Sequence, residues 1–184
     1  MSQPRIAPGS RREAGLLAWV IAQGGGLQAR TEPLTLFLTL GRHRRLFRSW
    51  LRFAGRMMPG GILPRPDTEL VILRVAHLRS CAYEYGHHVR LGRRAGLTPD
   101  DIARVAEGPD ALGWTPRQRA LLTAVDELHR DGDLLDETWV TLRRHLDERE
   151  SIEFCMLVGH YEMLATTIAT LRIQPELRRR GRRR

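Results

Sequence analysis

The sequence predicts an all-α protein, and three observations carry that expectation. Apolar residues recur at three- and four-residue intervals along most of the chain. Helix start and stop signals, above all Thr-Pro pairs and glycines, bracket those segments. No run alternates apolar and polar residues over the length of a strand.

The elements follow in order. Residues 13–23 form a short helix that Gly24-Gly25-Gly26 is expected to end. Pro33 suits the first turn of a helix reaching about Met57, with Leu36, Leu40, Phe47, Leu51 and Ala54 on its apolar face. Arg42, Arg44, Arg45, Arg48, Arg52 and Arg56 cover much of the rest as a solvated face. Pro59-Gly60-Gly61 and Pro64-Arg65-Pro66 make a rigid loop. Asp67 or Thr68 caps the next helix, with Glu69 in its first turn. Ser80 is the expected N-cap of a helix that begins at Cys81 and closes at Gly96. Thr98-Pro99 opens a short helix ended by Gly108-Pro109, and Thr115-Pro116 opens another running to about Arg130. Asp131-Gly132-Asp133 is a turn, Asp136 caps a helix to about Leu146, and the last long helix runs from Arg149 to about Leu171. The expected organisation is an N-terminal arm with a short helix over 1–32, one domain of about seven helices over 33–175, and a disordered Arg-rich tail over 176–184.

At 184 residues the chain is long enough to bury a real core, and 42% apolar with 28% charged residues is ordinary for a soluble domain. Lysine and asparagine are absent, so all 30 basic residues are arginine. The net charge of +9 is concentrated at the C-terminus: Arg178, Arg179, Arg180, Arg182, Arg183 and Arg184 are six of the last seven residues, and removing them leaves +3. No recognition motif accompanies the tail, so specific nucleic-acid binding is not expected. Ser10-Arg11-Arg12 ahead of Leu16-Leu-Ala-Trp-Val-Ile-Ala22 has the outline of a twin-arginine export signal. Its apolar run is short, Glu13 follows the arginine pair, and no small-residue cleavage site follows. No stretch offers the roughly 20 apolar residues of a membrane span, so no membrane partner is expected. Cys81 and Cys155 do not make a disulfide framework and suit a reducing cytoplasm, with Cys155 a small hydrophobe in its apolar run.

Cys81, Glu84 and His88 fall at i, i+3 and i+7, so one helical face carries a thiol, a carboxyl and an imidazole. Unpaired polar groups are costly to bury, so the stripe either faces solvent or lines a pocket. At a helix start the Cys81 thiolate is favoured by the macrodipole, while Glu84 opposes it; sequence does not rank these effects. Glu84 is also spaced to hold the His88 tautomer. Glu84-Tyr-Gly-His87 has the Glu-x-x-His form of carboxylate-bridged metal bundles, but no second copy is present, and neither a metal nor another cofactor is expected. A packed stripe that satisfies its own hydrogen bonds is the plain structural alternative.

These residues resemble the carboxymuconolactone decarboxylase superfamily, which includes alkyl hydroperoxidase D (AhpD). The family motif is a glutamate twelve residues before a Cys-x-x-Cys, with a histidine four residues after the second cysteine. Here Glu69 leads, Cys81 stands at +12, and His88 follows position 84 by four. Asp67-Thr-Glu-Leu-Val-Ile-Leu-Arg74, Ala95-Gly-Leu-Thr-Pro-Asp-Asp-Ile102, Asp126-Glu-Leu-His129, Trp139 and Leu157-Val-Gly-His-Tyr-Glu-Met163 are similar to family sequences too, and the likeness covers roughly 30–175. It implies an all-helical fold, a homo-oligomer such as a trimer or hexamer, and no metal or organic cofactor. It also implies one of two chemistries: hydroperoxide reduction by the cysteine pair with a glutamate–histidine proton relay, or acid/base decarboxylation of a lactone acid. The chain departs from the peroxidase pattern at Glu84, which stands where the peroxide-attacking cysteine would be.

The reading that follows is an acid/base enzyme for a small carboxylate or carbonyl metabolite. Glu84 and His88 exchange protons with it, Glu69 orients the relay, and Cys81 is a wall or auxiliary donor. Arg74 is a candidate carboxylate anchor and His160 a candidate pocket residue. The alternatives are single-cysteine hydroperoxide reduction at Cys81 with an external thiol, and a non-enzymatic helical binding or assembly module.

Overall fold

A computed structural model describes residues 3–178. Among these residues there are ten helices, no strand and one isolated β-bridge: α1 (Arg11–Ala14), α2 (Leu16–Ala29), α3 (Thr35–Leu40), α4 (Arg44–Met57), α5 (Arg65–Leu78), α6 (Ala82–Ala95), α7 (Pro99–Arg104), α8 (Pro116–Asp131), α9 (Asp136–Arg143) and α10 (Glu148–Leu171). The all-α class stands, with more and shorter helices than expected.

The chain divides into two compact units: Met1–Ala54 with Thr167–Arg184, and Gly55–Thr166. In the first unit Ala14, Ala18 and Phe47 form a small core with Phe37, Leu38, Leu40, Trp50 and Leu51 against it. Two boundaries differ from expectation here, each for a steric reason. The Gly24–Gly26 triplet does not end α2, which continues to Ala29. A Cβ at Gly25 would sit 2.3 Å from Leu34 Cδ1, and one at Gly26 would sit 2.4 Å from the Glu32 carbonyl oxygen. Those glycines permit close approach inside a helix. The expected helix from Pro33 to Met57 breaks at Gly41-Arg42-His43. A Cβ at Gly41 would lie 2.5 Å from that of Ala18, and His43 Nδ1 accepts the Leu46 amide at 3.3 Å to restart the helix.

The start of the expected disordered tail is held. Glu176 accepts from the Thr35 amide at 2.8 Å, Leu177 O accepts from the Glu32 amide, and Arg178 bridges to Thr31. Arg179–Arg184, which carry the rest of that expectation, lie outside the described residues.

The second unit holds the motif. Leu70, Leu73, Leu97, Ile102, Val105, Trp114 and Leu122 form its core, which joins α5, α6, α7 and α8. The ten residues from Asp67 to Ala76 are all buried, because α5 packs on both α6 and α8. Thr98 and Thr115 cap α7 and α8 in capping boxes with Asp101 and Gln118, as their Thr-Pro signals predict. Glu153 of α10 accepts the amides of Ile62 and Leu63 and so fixes the loop that leads into α5. Helix α10 is long and apolar enough to cross a membrane by length and composition, which the sequence reading did not expect. Phe154, Leu157, Val158, Tyr161, Leu164 and Ala165 are nonetheless buried in the protein, as in a core helix.

Arg74 is not available as an anchor for a substrate carboxylate. Its Nε and Nη2 donate to the two oxygens of Asp126 at 2.7 Å each, and Nη1 donates to Val105 O at 2.6 Å. Gly108, at φ +93, leaves room for the guanidinium; a Cβ there would be 3.0 Å from Nη2. Asp126→Ala strands this charge in a site only 6% exposed. It is expected to lower unfolding free energy by about 3 kcal/mol in urea titration.

Candidate active site

Glu69 is fully buried on α5. Its Oε1 accepts from Arg65, one helical turn earlier, and its Oε2 lies 2.7 Å from His88 Nδ1 on α6. A carboxylate oxygen can only accept, so Nδ1 carries the proton of that bond and Nε2 is the nitrogen left for other partners. Helical spacing left Glu84 as one candidate to hold this ring, and the resemblance offered Glu69. The structure pairs His88 with Glu69, because α5 lies against α6 and brings the two side chains together across 19 positions.

Tyr161 of α10 completes this group. Its ring meets His88 edge-on, with centroids 5.1 Å apart, and its hydroxyl lies 3.6 Å from Met58 Sδ. Burial, with Glu84 and Glu69 nearby, pushes the phenol well above its ordinary range, so it remains a neutral donor. His160 packs edge-on against Tyr161 at 5.2 Å, and burial pulls its imidazole down to about 4. It is a neutral core ring, the blander of the two sequence readings.

Glu84 has a different environment. It is 3% exposed, and its carboxyl oxygens meet no nitrogen or oxygen donor in the protein; the Cys81 thiol is the donor that faces it. Burial raises its pKa to about 8, the nearby Cys81 thiol opposes the rise, and the charge of Glu162 adds to it. Glu162 is itself held by His129 Nδ1 at 2.7 Å and Arg79 Nε at 3.2 Å. At neutral pH Glu84 is therefore a carboxylic acid, not a carboxylate.

Cys81 is the N-cap of α6, one residue later than expected, because Ser80 turns the chain at φ +50. The thiolate favoured by the helix start does not prevail. Cys81 makes no capping hydrogen bond, and burial lifts its pKa to about 11, with Glu84 adding to the rise and the Tyr83 and Glu84 amides opposing it. The thiol walls a depression of about 270 Å3 shared with Ala76, His77, Ser80, Ala82 and Tyr85.

All four predicted site residues thus lie on the α5–α6 pair, in two subsets: Arg65–Glu69–His88–Tyr161, and Glu84 beside Cys81. Arg65 and Tyr161 were missed. Arg65 stands at i−4 from Glu69, a readable ion-pair spacing, and Tyr161 lies within the family-like segment 157–163. No group of three or more metal-ligating side chains occurs among the described residues.

Residues 44–127 match the carboxymuconolactone decarboxylase family model. No curated protein matches the sequence. Solved structures do. A protein of unknown function from Agrobacterium tumefaciens, described as a putative antioxidant defence protein AhpD, aligns at TM-score 0.66 and 23% identity, over 71% of this chain and 90% of that one. An uncharacterized peroxidase-related protein with an alkylhydroperoxidase AhpD core, from Ralstonia eutropha, aligns at 0.78 and 18%, over 95% and 94%. The apo debrominase Bmp8 aligns at 0.75 and 18%, over 93% and 91%. At these identities the neighbours establish the fold. The chain thus shares the fold of these AhpD-like structures, and its residues 44–127 are similar to the carboxymuconolactone decarboxylase family, with Glu84 at the position of the motif's second cysteine.

Proposed function

We propose that the chain is an acid/base enzyme that needs only its own side chains and acts on a small carboxylate or carbonyl metabolite. The observation that carries this reading is the environment of Glu84. Glu84 is buried against the Cys81 thiol and keeps its proton to about pH 8, while His88, one turn on along α6, is oriented by Glu69 through Nδ1. A buried carboxyl that holds its proton and an imidazole fixed in orientation are what general acid and general base roles require. His88 Nε2 would take a proton from the substrate, Glu84 would return one to the carbanion or oxygen that develops, and Glu69 would hold the imidazole. In a decarboxylation, carbon dioxide leaves instead and Glu84 protonates the carbon it left. Bmp8, a debrominase crystallised as a cysteine-to-alanine variant with 2,3,4-tribromopyrrole, supports the view that this fold accommodates small ring compounds.

The test is turnover of whichever compound the wild type converts in a screen of small carboxylates and carbonyl compounds. Glu84→Gln and His88→Ala are each expected to lower kcat by roughly 10²–10⁴-fold. Retained turnover in both variants removes the assignment.

One observation favours a second reading: the Cys81 thiol walls a surface depression that a hydroperoxide could enter. Against it, the thiol is held at about 11 and has no partner cysteine at position 84. If this reading were right, dithiothreitol-dependent peroxide consumption would be lost in Cys81→Ser. Equal rates in the two proteins, or none, dismiss it. Homo-oligomerisation is proposed alongside. The exposed Ile152, Cys155, Met156 and Met163 on one face of α10 support it, and sedimentation measures it.

A further inference from the structure

The two compact units differ sharply in charge. The described residues of the first, 3–54 and 167–178, carry eleven arginines against three glutamates, a balance of +8 with histidine neutral. The second, Gly55–Thr166, carries fourteen arginines against eighteen acidic residues, a balance of −4. Some arginines of the first unit are engaged: Arg42 pairs with Glu13, Arg44 donates to Arg12 O, and Arg11 lies over the Trp19 ring. Arg45, Arg48 and Arg52 are not. All three are exposed on α4, and none makes an ion pair or a side-chain hydrogen bond among the described residues. At i, i+3 and i+7 they form one row about 10 Å long. The exposed Leu46 and Phe53 flank it, while Phe47, Trp50 and Leu51 of the same helix face the core.

Helix α2 adds an apolar face to this basic one. None of its fourteen residues is charged. Leu16, Leu17, Val20 and Leu27 fall on one side of it and are between 44% and 60% exposed. Gly24 lies among them, and a Cβ there would meet nothing within 4 Å. Leu16 and Leu17 line one depression with Arg44 and Arg48, so the aliphatic face meets the arginine row at its start. A surface helix normally turns charged or polar side chains outward. A contiguous apolar face left in water marks a contact surface.

We propose that this face of the first unit docks on an anionic membrane surface. Arg45, Arg48 and Arg52 contact the lipid phosphates, and Leu16, Leu17, Val20 and Leu27 enter the headgroup layer. Surface binding of this kind needs charge attraction and apolar burial together, and α4 and α2 supply one each. Nucleic acid would use the arginines but leave the aliphatic side chains in water, since they offer neither a stacking ring nor a donor. A second copy related by a twofold axis would bring the two uncompensated arginine rows face to face. The expectation of no membrane partner rested on the lack of a spanning stretch, which surface docking does not require. This face takes no part in the acid/base chemistry proposed above and stands or falls without it.

Vesicle flotation of the full chain tests this. Arg179, Arg180, Arg182, Arg183 and Arg184 are first changed to serine, so that the charge of the tail does not enter. Binding is compared on vesicles of phosphatidylcholine and on vesicles of phosphatidylcholine with phosphatidylglycerol at about 3:1. At low salt the protein is expected to partition onto the anionic vesicles roughly tenfold or more above the neutral ones. Changing Arg45, Arg48 and Arg52 together to glutamine is expected to lower that partition roughly tenfold or more, and lysine at the same positions to keep it, which separates charge from damage to the fold. Leu16→Ser with Val20→Ser is expected to lower it roughly tenfold with the arginines intact, and Val20→Leu to raise it about threefold, a gain that misfolding cannot produce. Equal partition onto the two kinds of vesicle overturns the proposal, and so does partition unchanged by the glutamine, serine or leucine substitutions. Tighter binding to a single-stranded oligonucleotide, indifferent to the serine pair, would overturn it in favour of a nucleic-acid surface. Self-association that the three glutamines abolish would overturn it in favour of a contact between copies.

Discussion

Glu69→Ala is expected to destabilise the protein by about 3–5 kcal/mol, towards the lower end because Arg65 is partly exposed. Glu69 has no exposed surface and is the shared acceptor for Arg65 and His88. Removing it leaves an imidazole N–H without its partner in a site that is 6% exposed, and a guanidinium without its anion. A small cavity adds to the loss, since the Glu69 stem packs in the core of α5. Urea titration at neutral pH measures the change. A value under about 1 kcal/mol would be that of a surface pair and would contradict a structural role for the buried carboxylate.

Glu84→Gln is expected to remove a fall in stability that the wild type shows as pH rises. In the folded protein Glu84 keeps its proton to about pH 8, against an ordinary value of 4.5. Below that ordinary value both folded and unfolded chains are protonated, and this group contributes no pH dependence. Between the two values the unfolded chain releases a proton that the folded chain retains, so stability falls with pH and levels off above about 8. The total is on the order of 3–5 kcal/mol. Glutamine keeps the neutral shape and cannot ionise. The variant should match the wild type near pH 5 and exceed its stability by a few kcal/mol at pH 8.5. Parallel pH profiles for the two proteins would mean that Glu84 is not the buried acid described here.

The helical class was legible because helices advertise their ends. Thr98-Pro99, Thr115-Pro116 and Gly96 mark boundaries that local chemistry alone enforces. The misread boundaries are those where a glycine does tertiary work. Gly25, Gly26 and Gly41 allow backbones to meet, and nothing local distinguishes that from a stop. The same division holds in the site. Helical spacing singled out Cys81, Glu84 and His88, and the resemblance added Glu69; all four sit on two consecutive helices. Spacing alone could not choose between Glu69 and Glu84 as the partner of His88, because that depends on how α5 meets α6. Cys81 makes the point for electrostatics. Its place at a helix start is a sequence property, but burial is not, and burial decides the thiol's state. Arg74 looked free for a substrate until Asp126, 52 positions away, took it.

Glu84 as a buried, protonated acid is the claim on which the functional reading turns. Its titration can be followed directly by NMR of glutamate side-chain carboxyl carbons, with the Glu84 resonance assigned by its loss in Glu84→Gln. The account predicts a midpoint near 8 for that one carboxyl. A midpoint near the ordinary value of 4.5 would contradict it and leave the proposed reaction without its general acid.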